Sequence, residues 1–199
     1  MLAAAVAGLL TGLSLIVAIG AQNAYVLRQG LTRDHVGVVV AICTVSDVVL
    51  IVAGVAGIGT LVERAPWAVE AVRWFGVAFL TAYGVRSLLR ARHPEALRAA
   101  VGSGGRRGVV LAALALTWLN PHVYLDTVLL LGSIANQHGP QDRWWFALGA
   151  SVASAVWFCG LGYGARTASP LLARPRSWQV LDVVIGLTML AIAVSLALG

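Results

Sequence analysis

Residues 108–135 read GVVLAALALTWLNPHVYLDTVLLLGSIA, an apolar run of 28 residues whose only formal charge is Asp126. A second such run, VGVVVAICTVSDVVLIVAGVAGIGTLV at residues 36–62, has Asp47 as its only charge. Each run is long enough for a helix that crosses roughly 30 Å of hydrocarbon. A carboxylate near the centre of a bilayer costs roughly 2.5 to 3.5 kcal/mol on insertion scales, so it usually faces a cavity, an ion or a partner. The two aspartates therefore predict a functional site inside a membrane.

The composition places the whole chain in a membrane. Of its 199 residues, 59% are hydrophobic and 11% are charged, which is more apolar than an ordinary soluble domain. The apolar segments are continuous rather than alternating, so they favour helices over the strands of a barrel. We therefore expect an all-α polytopic membrane protein with six transmembrane helices. The six segments are residues 2–19, 36–62, 67–89, 108–135, 144–165 and 178–198.

The basic residues, all fourteen of them arginine, predict the orientation. If the odd-numbered loops are cytoplasmic, eleven arginines lie inside and three outside, and the positive-inside rule then puts both termini outside. The first segment lacks the basic n-region of a signal peptide, so we interpret it as a retained span. If it does not span, a five-helix chain with a cytoplasmic N-terminus is the alternative. No soluble domain is left to carry a nucleic-acid surface.

The longest loop, residues 91–107, divides this single transporter domain into pseudo-repeats 1–90 and 108–199. Three spans in each half make the second half enter the membrane inverted, as in many secondary transporters. The sequences GAQNAYVL at 20–27 and LNPHVYLD at 119–126 place Tyr25 and Tyr124 in register. The chain therefore predicts two inverted three-helix repeats with broken helices.

The fourth segment is expected to break near Asn120 and Pro121. Proline has no amide hydrogen and disfavours helix at the preceding residue, so the helix restarts with Asn120 as N-cap and Pro121 at the first position. The unpaired amides and positive dipole end of such a half-helix suit a carboxylate. Asn23, after Gly20, is a candidate cap for a second restart. A plain proline kink without a ligand is the alternative.

The aspartates have a structural alternative, which is an ion pair or a hydrogen bond to a neighbouring helix. The nearest arginines for such a pair with Asp47 or Asp126 are Arg28, Arg73 and Arg86. Asp182 differs because it lies near the end of its segment. We expect it to form an interfacial salt bridge with Arg174 or Arg176.

The remaining reactive side chains give no pattern for chemistry. Cys43 and Cys159 lie in apolar segments without a CxxC motif, and the histidines have no metal-ligand spacing. The serines lack a GxSxG context. We expect no metal, no cofactor and no enzymatic activity. The GxxxG spacings, Gly8 with Gly12 and Gly160 with Gly164, predict close helix packing and leave room for a homodimer.

Three strings resemble the LysE/ArgO family of basic amino-acid exporters over the whole chain. They are GAQNAYVLRQGL at 20–31, Ser46-Asp47, and TWLNPHVYLD at 117–126, and the last span adds a similar closing pattern of Trp178, Asp182, Gly186 and Met189. Ala21 departs from relatives that place a proline after the glycine, which puts a sharp first break in doubt. The resemblance implies export of L-lysine or L-arginine from the bacterial cytoplasm, with Asp47 and Asp126 as an important pair.

The residues offer a partner for each group of such a substrate. The aspartates neutralise its cations and are also the predicted proton-coupling residues, while helix N-terminal amides receive its carboxylate. The predicted substrate-binding residues are Asp47, Asp126, Asn120, Pro121, His122, Gln22, Asn23, Tyr25 and Tyr124.

Three alternatives to this interpretation stay open. The chain can be an exporter of another solute with the same fold, such as a neutral amino acid or a metal cation. It can also be a membrane assembly subunit that transports nothing. Proton coupling is a hypothesis, and facilitated diffusion is its alternative.

Overall fold

A computed structural model describes residues 1–17, 20–57, 66–91, 105–120, 123–167 and 175–198. The described residues form helices joined by turns, with no strand among them, so the predicted all-α class is confirmed. The helices are α1 (Leu2–Ile16), α2 (Ala21–Thr32), α3 (Val36–Val55), α4 (Pro66–Ala91), α5 (Arg106–Trp118), α6 (Tyr124–Leu131), α7 (Gly132–Asn136), α8 (Gly139–Gly164) and α9 (Pro175–Leu198).

Three described helices are long and apolar enough to cross a membrane: Val36–Val55, Gly139–Thr167 and Gln179–Leu198. A fourth span results if α1 and α2, whose axes are bent by 83°, are taken together. The described residues therefore support three or four spans by length and composition, and the six-span arrangement stays a prediction. Helix α8 begins five residues before the apolar segment at 144–165 because Pro140, near its first position, suits a helix start.

Both predicted helix breaks are present. Helix α5 ends at Trp118, and the amide of Val123 donates to the carbonyl of Asn120 at 3.1 Å, so a new turn starts at Asn120. Pro121 and His122 lie outside the described residues. Helix α6, which follows, is π-helical, a wide turn that is frequent at functional sites.

The first break differs from the prediction in its cap. Helix α2 begins at Ala21 with Gly20 as N-cap in an extended conformation, so Asn23 lies in the first turn and does not cap it. Ala21 at the position of the relatives' proline does not prevent the break. Gly20 supplies the extended residue that a helix start needs.

The contacts between helices correspond in the two halves of the chain. Helix α1 packs on α8 and α5 packs on α3, while α2 contacts α8 and α6 contacts α3. Glycines allow the closest approaches: a Cβ at Gly149 would lie 1.9 Å from the carbonyl oxygen of Ala5, and one at Gly8 would lie 2.0 Å from that of Phe146. The Gly8 spacing thus packs α1 on α8 as predicted, whereas Gly160 and Gly164 have no described atom within 4 Å of their Cβ positions.

Helices α4 and α9 form a pair of their own, here called the α4/α9 pair. A Cβ at Gly84 would lie 3.0 Å from the carbonyl oxygen of Gly186, and Arg73 donates to the carbonyls of Leu196, at 2.5 Å, and Ala197, at 3.0 Å. The other helices contact this pair chiefly through α2 and α5. The α4/α9 pair is therefore joined along its length and attached to the bundle by two helices.

Candidate functional site

A cavity of about 310 Å³ lies where the two broken helices meet, within the range of small-molecule sites. The first break contributes Gly20, Gln22 and Asn23 to its wall, the second contributes Asn120 and Asp126, and α3 contributes Asp47. Five of the predicted binding residues, Gln22, Asn23, Asp47, Asn120 and Asp126, are thus brought to one cavity from both halves of the chain.

Asp47 lies on the wall of this cavity, near the middle of α3, and is only 3% exposed. Its Oδ2 accepts a hydrogen bond from the hydroxyl of Ser154 on α8 at 2.8 Å. None of the ion pairs between described residues includes Asp47. A buried carboxylate without a paired cation is costly, and a positive charge or a proton at this position would lower that cost.

For Asp47, the alternative of an ion pair with Arg28, Arg73 or Arg86 is wrong, whereas the alternative of a hydrogen bond to a neighbouring helix is confirmed by Ser154 of α8. Arg28 pairs with another carboxylate, Arg73 binds Glu70 and helix-terminal carbonyls, and Arg86 is exposed. The partner of Asp47 is instead a hydroxyl. Sequence reasoning missed Ser154 because a serine in an apolar helix, without a neighbouring motif, resembles a packing residue.

Asp126 enters the cavity from the second break. It lies in the first turn of the π-helical α6, shortly after Asn120, and is half-buried. The next residue, Thr127, donates its hydroxyl to the carbonyl of Val123 and also lines the cavity. Asp126 is therefore less buried than Asp47, which is almost fully buried.

The first break is held together by Asn23. Its Nδ2 donates to the carbonyl of Ile16, the last residue of α1, at 2.7 Å, and its Oδ1 accepts from the indole of Trp157 at 3.1 Å. A carbonyl that the end of a helix leaves unsatisfied is thereby bonded. Beside it, Gln22 has a buried Nε2 for which no acceptor in hydrogen-bonding geometry lies among the described residues. The side chain of Gln22 lies close to the carboxylate of Asp47 on the cavity wall.

The second break is held together by Tyr124. Its hydroxyl donates to the carbonyl of Trp118, the last residue of α5, at 2.9 Å, and the indole of Trp118 donates to Ser46 at 3.1 Å. Tyr25 bonds the carbonyl of Val109 at 3.3 Å and packs edge-on against Tyr83. Neither tyrosine is among the residues that line the cavity, so their contacts support the helices around it.

Asp182 differs from the prediction. It is fully buried, its Oδ1 lies 3.4 Å from Nη1 of Arg28, and the same oxygen accepts the hydroxyl of Ser87 at 2.9 Å. Arg174 and the side chain of Arg176 lie outside the described parts. The partner was missed because Arg28 is distant in sequence and reaches Asp182 only when α2 packs on α9.

A bundle of apolar helices with a polar cavity between two broken helices defines a membrane transporter for a small solute. Comparison with known proteins agrees, since the family model described as LysE type translocator matches residues 13–199. The chain belongs to this family and is a multi-pass membrane protein.

Named relatives are similar over nearly the whole chain. The lysine exporter LysE of Corynebacterium diphtheriae is 44% identical over 94% of this chain and 95% of its own length. The arginine exporter protein ArgO of Yersinia enterocolitica is 43% identical over 99% of this chain and 97% of its own. The lysine exporter LysE of Corynebacterium efficiens is 39% identical over 97% of each chain. No solved structure matches this chain.

Proposed function

We propose that this protein exports L-arginine and L-lysine across the bacterial cytoplasmic membrane by alternating access, in exchange for protons. The observation that carries the proposal is the cavity with two carboxylates, Asp47 and Asp126, at the meeting point of two broken helices. The lysine and arginine exporters to which the chain is similar along its whole length support the choice of substrates.

The cavity has a partner for each charged group of a basic amino acid. Asp47 and Asp126 accept its ammonium and side-chain cation, since charge-assisted hydrogen bonds are the stronger ones. The amides at the start of α2 and at the Asn120 turn receive its carboxylate, with the side chain of Gln22 as a further donor. Pro121 and His122, which the sequence pattern assigns to substrate binding, stay part of the proposal.

The proposed membrane topology rests on the correspondence between the two halves of the chain. We propose six spans as two inverted repeats with both termini outside, which the corresponding contacts of α1 on α8 and α5 on α3 support. Helix α4, with 26 residues, is about 39 Å long at 1.5 Å per residue and is long enough to span. A homodimer stays a prediction.

Coupling to protons follows from the cost of export. Moving one positive charge outward against an inside-negative potential costs about 2.3 kcal/mol per 100 mV. A protonated carboxyl group does not balance the charge of a cationic substrate, so protons and substrate compete for the same aspartates. Exchange between inward and outward states then couples their movements.

The test uses purified protein in liposomes loaded with unlabelled L-arginine. We expect labelled L-arginine and L-lysine to enter by counterflow, and L-citrulline, which has the shape of arginine without its side-chain charge, to be excluded. A pH gradient of either sign should change net arginine flux if protons are the coupling ion. Equal uptake of citrulline and arginine would contradict the assignment of substrate, and absence of any counterflow would contradict transport.

A further inference from the structure

The pair of Arg28 and Asp182 lies away from the cavity, toward the end of the molecule where several arginines are exposed. Ile192 and Ser195 line the cavity on the same helix as Asp182, ten and thirteen residues further on, which is roughly 15 and 20 Å along the axis. On α2, which runs toward this end, Arg28 lies about 9 Å beyond Gln22. We call this end, with the exposed residues Arg33, Arg107 and Arg166, the arginine-rich end.

Packed apolar side chains fill the space between the pair and the cavity. Ile185 and Met189 of α9, which lie between Asp182 and Ile192, are buried in one cluster with Tyr25 of α2. A solute that moves along this face of α9 between the cavity and the arginine-rich end must therefore separate α2 from the α4/α9 pair.

The polar contacts across that boundary converge on Arg28. Its guanidinium lies 3.4 Å from Asp182 of α9 and 3.5 Å from the hydroxyl of Tyr83 on α4, while Ser87 of α4 bonds the same carboxylate oxygen. The side chains of Arg28 and Asp182 are only 15% and 1% exposed. The ion pair thus joins the cavity-lining helix α2 to α9, and the contact of Arg28 with Tyr83 joins α2 to α4.

A buried ion pair suits a contact that must open and close. Its attraction is largely offset by the cost of removing both charges from water, so the net stabilisation is small. When the boundary opens, water solvates both groups. A guanidinium or ammonium group on a solute then presents Asp182 with the same chemistry as Arg28.

We propose that Arg28 and Asp182 form the gate of the cavity at the arginine-rich end, and that a cationic substrate opens it by competing with Arg28 for Asp182. The competition between substrate and Arg28 rests on the proposed function, whereas the contact that closes the gate does not. Neither residue lines the cavity, which lies beyond the apolar layer.

The test measures how fast a membrane-impermeant maleimide labels a cysteine in the cavity wall. The reporter is Ile16→Cys in a Cys159→Ser background, since Cys159 is exposed and Cys43 is buried. Membrane vesicles of both orientations are labelled, and Arg107→Cys identifies the preparation whose arginine-rich end faces the reagent.

From that face we expect R28Q and D182N each to raise the labelling rate of the reporter at least tenfold. Arg28→Lys, which keeps the cation, should remain within threefold of the unmodified pair, and Arg33→Gln, an exposed arginine at the same end, should change nothing. L-arginine should accelerate labelling of the parent protein, and L-citrulline should not.

Unchanged labelling in R28Q and D182N would overturn the gate. An equal effect of L-arginine and L-citrulline would overturn the competition. If either neutral variant fails to reach the membrane, Ser87→Ala takes its place, because it retains both charges and removes only the hydroxyl. It should raise the labelling rate by a smaller factor, and no rise in that variant would count against the gate. Labelling requires no transport, so failed counterflow with intact gating would contradict only the proposed function.

Discussion

The buried carboxylates of Asp47 and Asp182 have different partners, and the difference separates a binding site from a structural contact. Asp182 is joined to an arginine of the chain itself, whereas Asp47 accepts a serine hydroxyl and takes part in no ion pair of the described residues. Both are more than nine-tenths buried. A carboxylate that forms an ion pair with an arginine of the chain holds helices together. A carboxylate without such a pair is suited to a cation that binds reversibly.

Asp126 lies at the same cavity as Asp47. Both residues line one cavity, and each comes from a different half of the chain. Asp126 is half-buried, whereas Asp47 is almost fully buried. The two together give the site negative charge from both halves.

The largest expected effect is on transport when a cavity carboxylate is neutralised. D47N and D126N should each abolish arginine efflux from cells while the protein remains in the membrane, because an amide does not balance the substrate's charge. Efflux is measured with preloaded labelled arginine, and the amount of protein by immunoblot. Asp142→Asn, which changes a half-exposed partner of the N-terminus, is the control. Efflux at the parent rate in D47N would show that Asp47 is not part of the substrate site.

The second effect is on stability and concerns Asp182. D182N leaves a buried guanidinium without its carboxylate, which costs about 3 to 5 kcal/mol, whereas replacing both charges with R28Q and D182N together is closer to neutral. The melting temperature in detergent should therefore fall sharply in the single variant and recover in the double variant. Additive losses would show that the two residues do not act as a pair.

The third effect separates Asp47 from Asp182 by their hydroxyl partners. Ser154→Ala removes a hydrogen bond to a carboxylate, worth about 1.5 to 3 kcal/mol, from the proposed substrate site. We expect a rise of about tenfold or more in KM for arginine with little change in melting temperature. Ser87→Ala removes the equivalent bond at Asp182 and should lower the melting temperature and leave KM nearly unchanged. A lower melting temperature in Ser154→Ala together with a higher KM in Ser87→Ala would mean that the roles of Asp47 and Asp182 are exchanged.

The smallest effect is at the supports of the two breaks. Tyr124→Phe removes the bond to the carbonyl of Trp118, a loss of about 1 kcal/mol, and should reduce the rate of arginine efflux by a few fold without changing which substrates are exported. Complete loss of transport in Tyr124→Phe would mean that the hydroxyl contacts the substrate directly.

Five of the cavity residues, Gln22, Asn23, Asp47, Asn120 and Asp126, were predictable from local chemistry. A proline after Asn120 removes an amide donor and disfavours helix at the preceding residue, and a lone aspartate in an apolar run is costly enough to indicate a function by itself. The partner of Asp182 was not predictable, since it depends on how α2 packs on α9. The cap of α2 was mistaken because Asn and Gly both suit that position, and the sequence does not show which residue adopts the extended conformation.

Ser154 and Trp157 show the limit of motif reasoning. They lie one turn apart on α8 and reach Asp47 and Asn23, respectively, although neither belongs to a motif. Their role follows from the close packing of α8 against α2 and α3, which small residues on α8 allow. A polar residue one helical turn from an interior tryptophan is the only signal that the sequence carries.

The central claim is that Asp47 and Asp126 bind the cationic substrate in the cavity and that Asp182 is no part of that cavity site. Its most direct test is the binding of L-arginine to purified protein, measured by isothermal titration for the parent chain and for D47N, D126N and D182N. We expect binding to be lost in D47N and D126N and to stay within about threefold in Kd in D182N, a difference of less than about 1 kcal/mol. Arginine binding by D47N as tight as that of the parent chain, or its loss in a folded D182N, would contradict the claim.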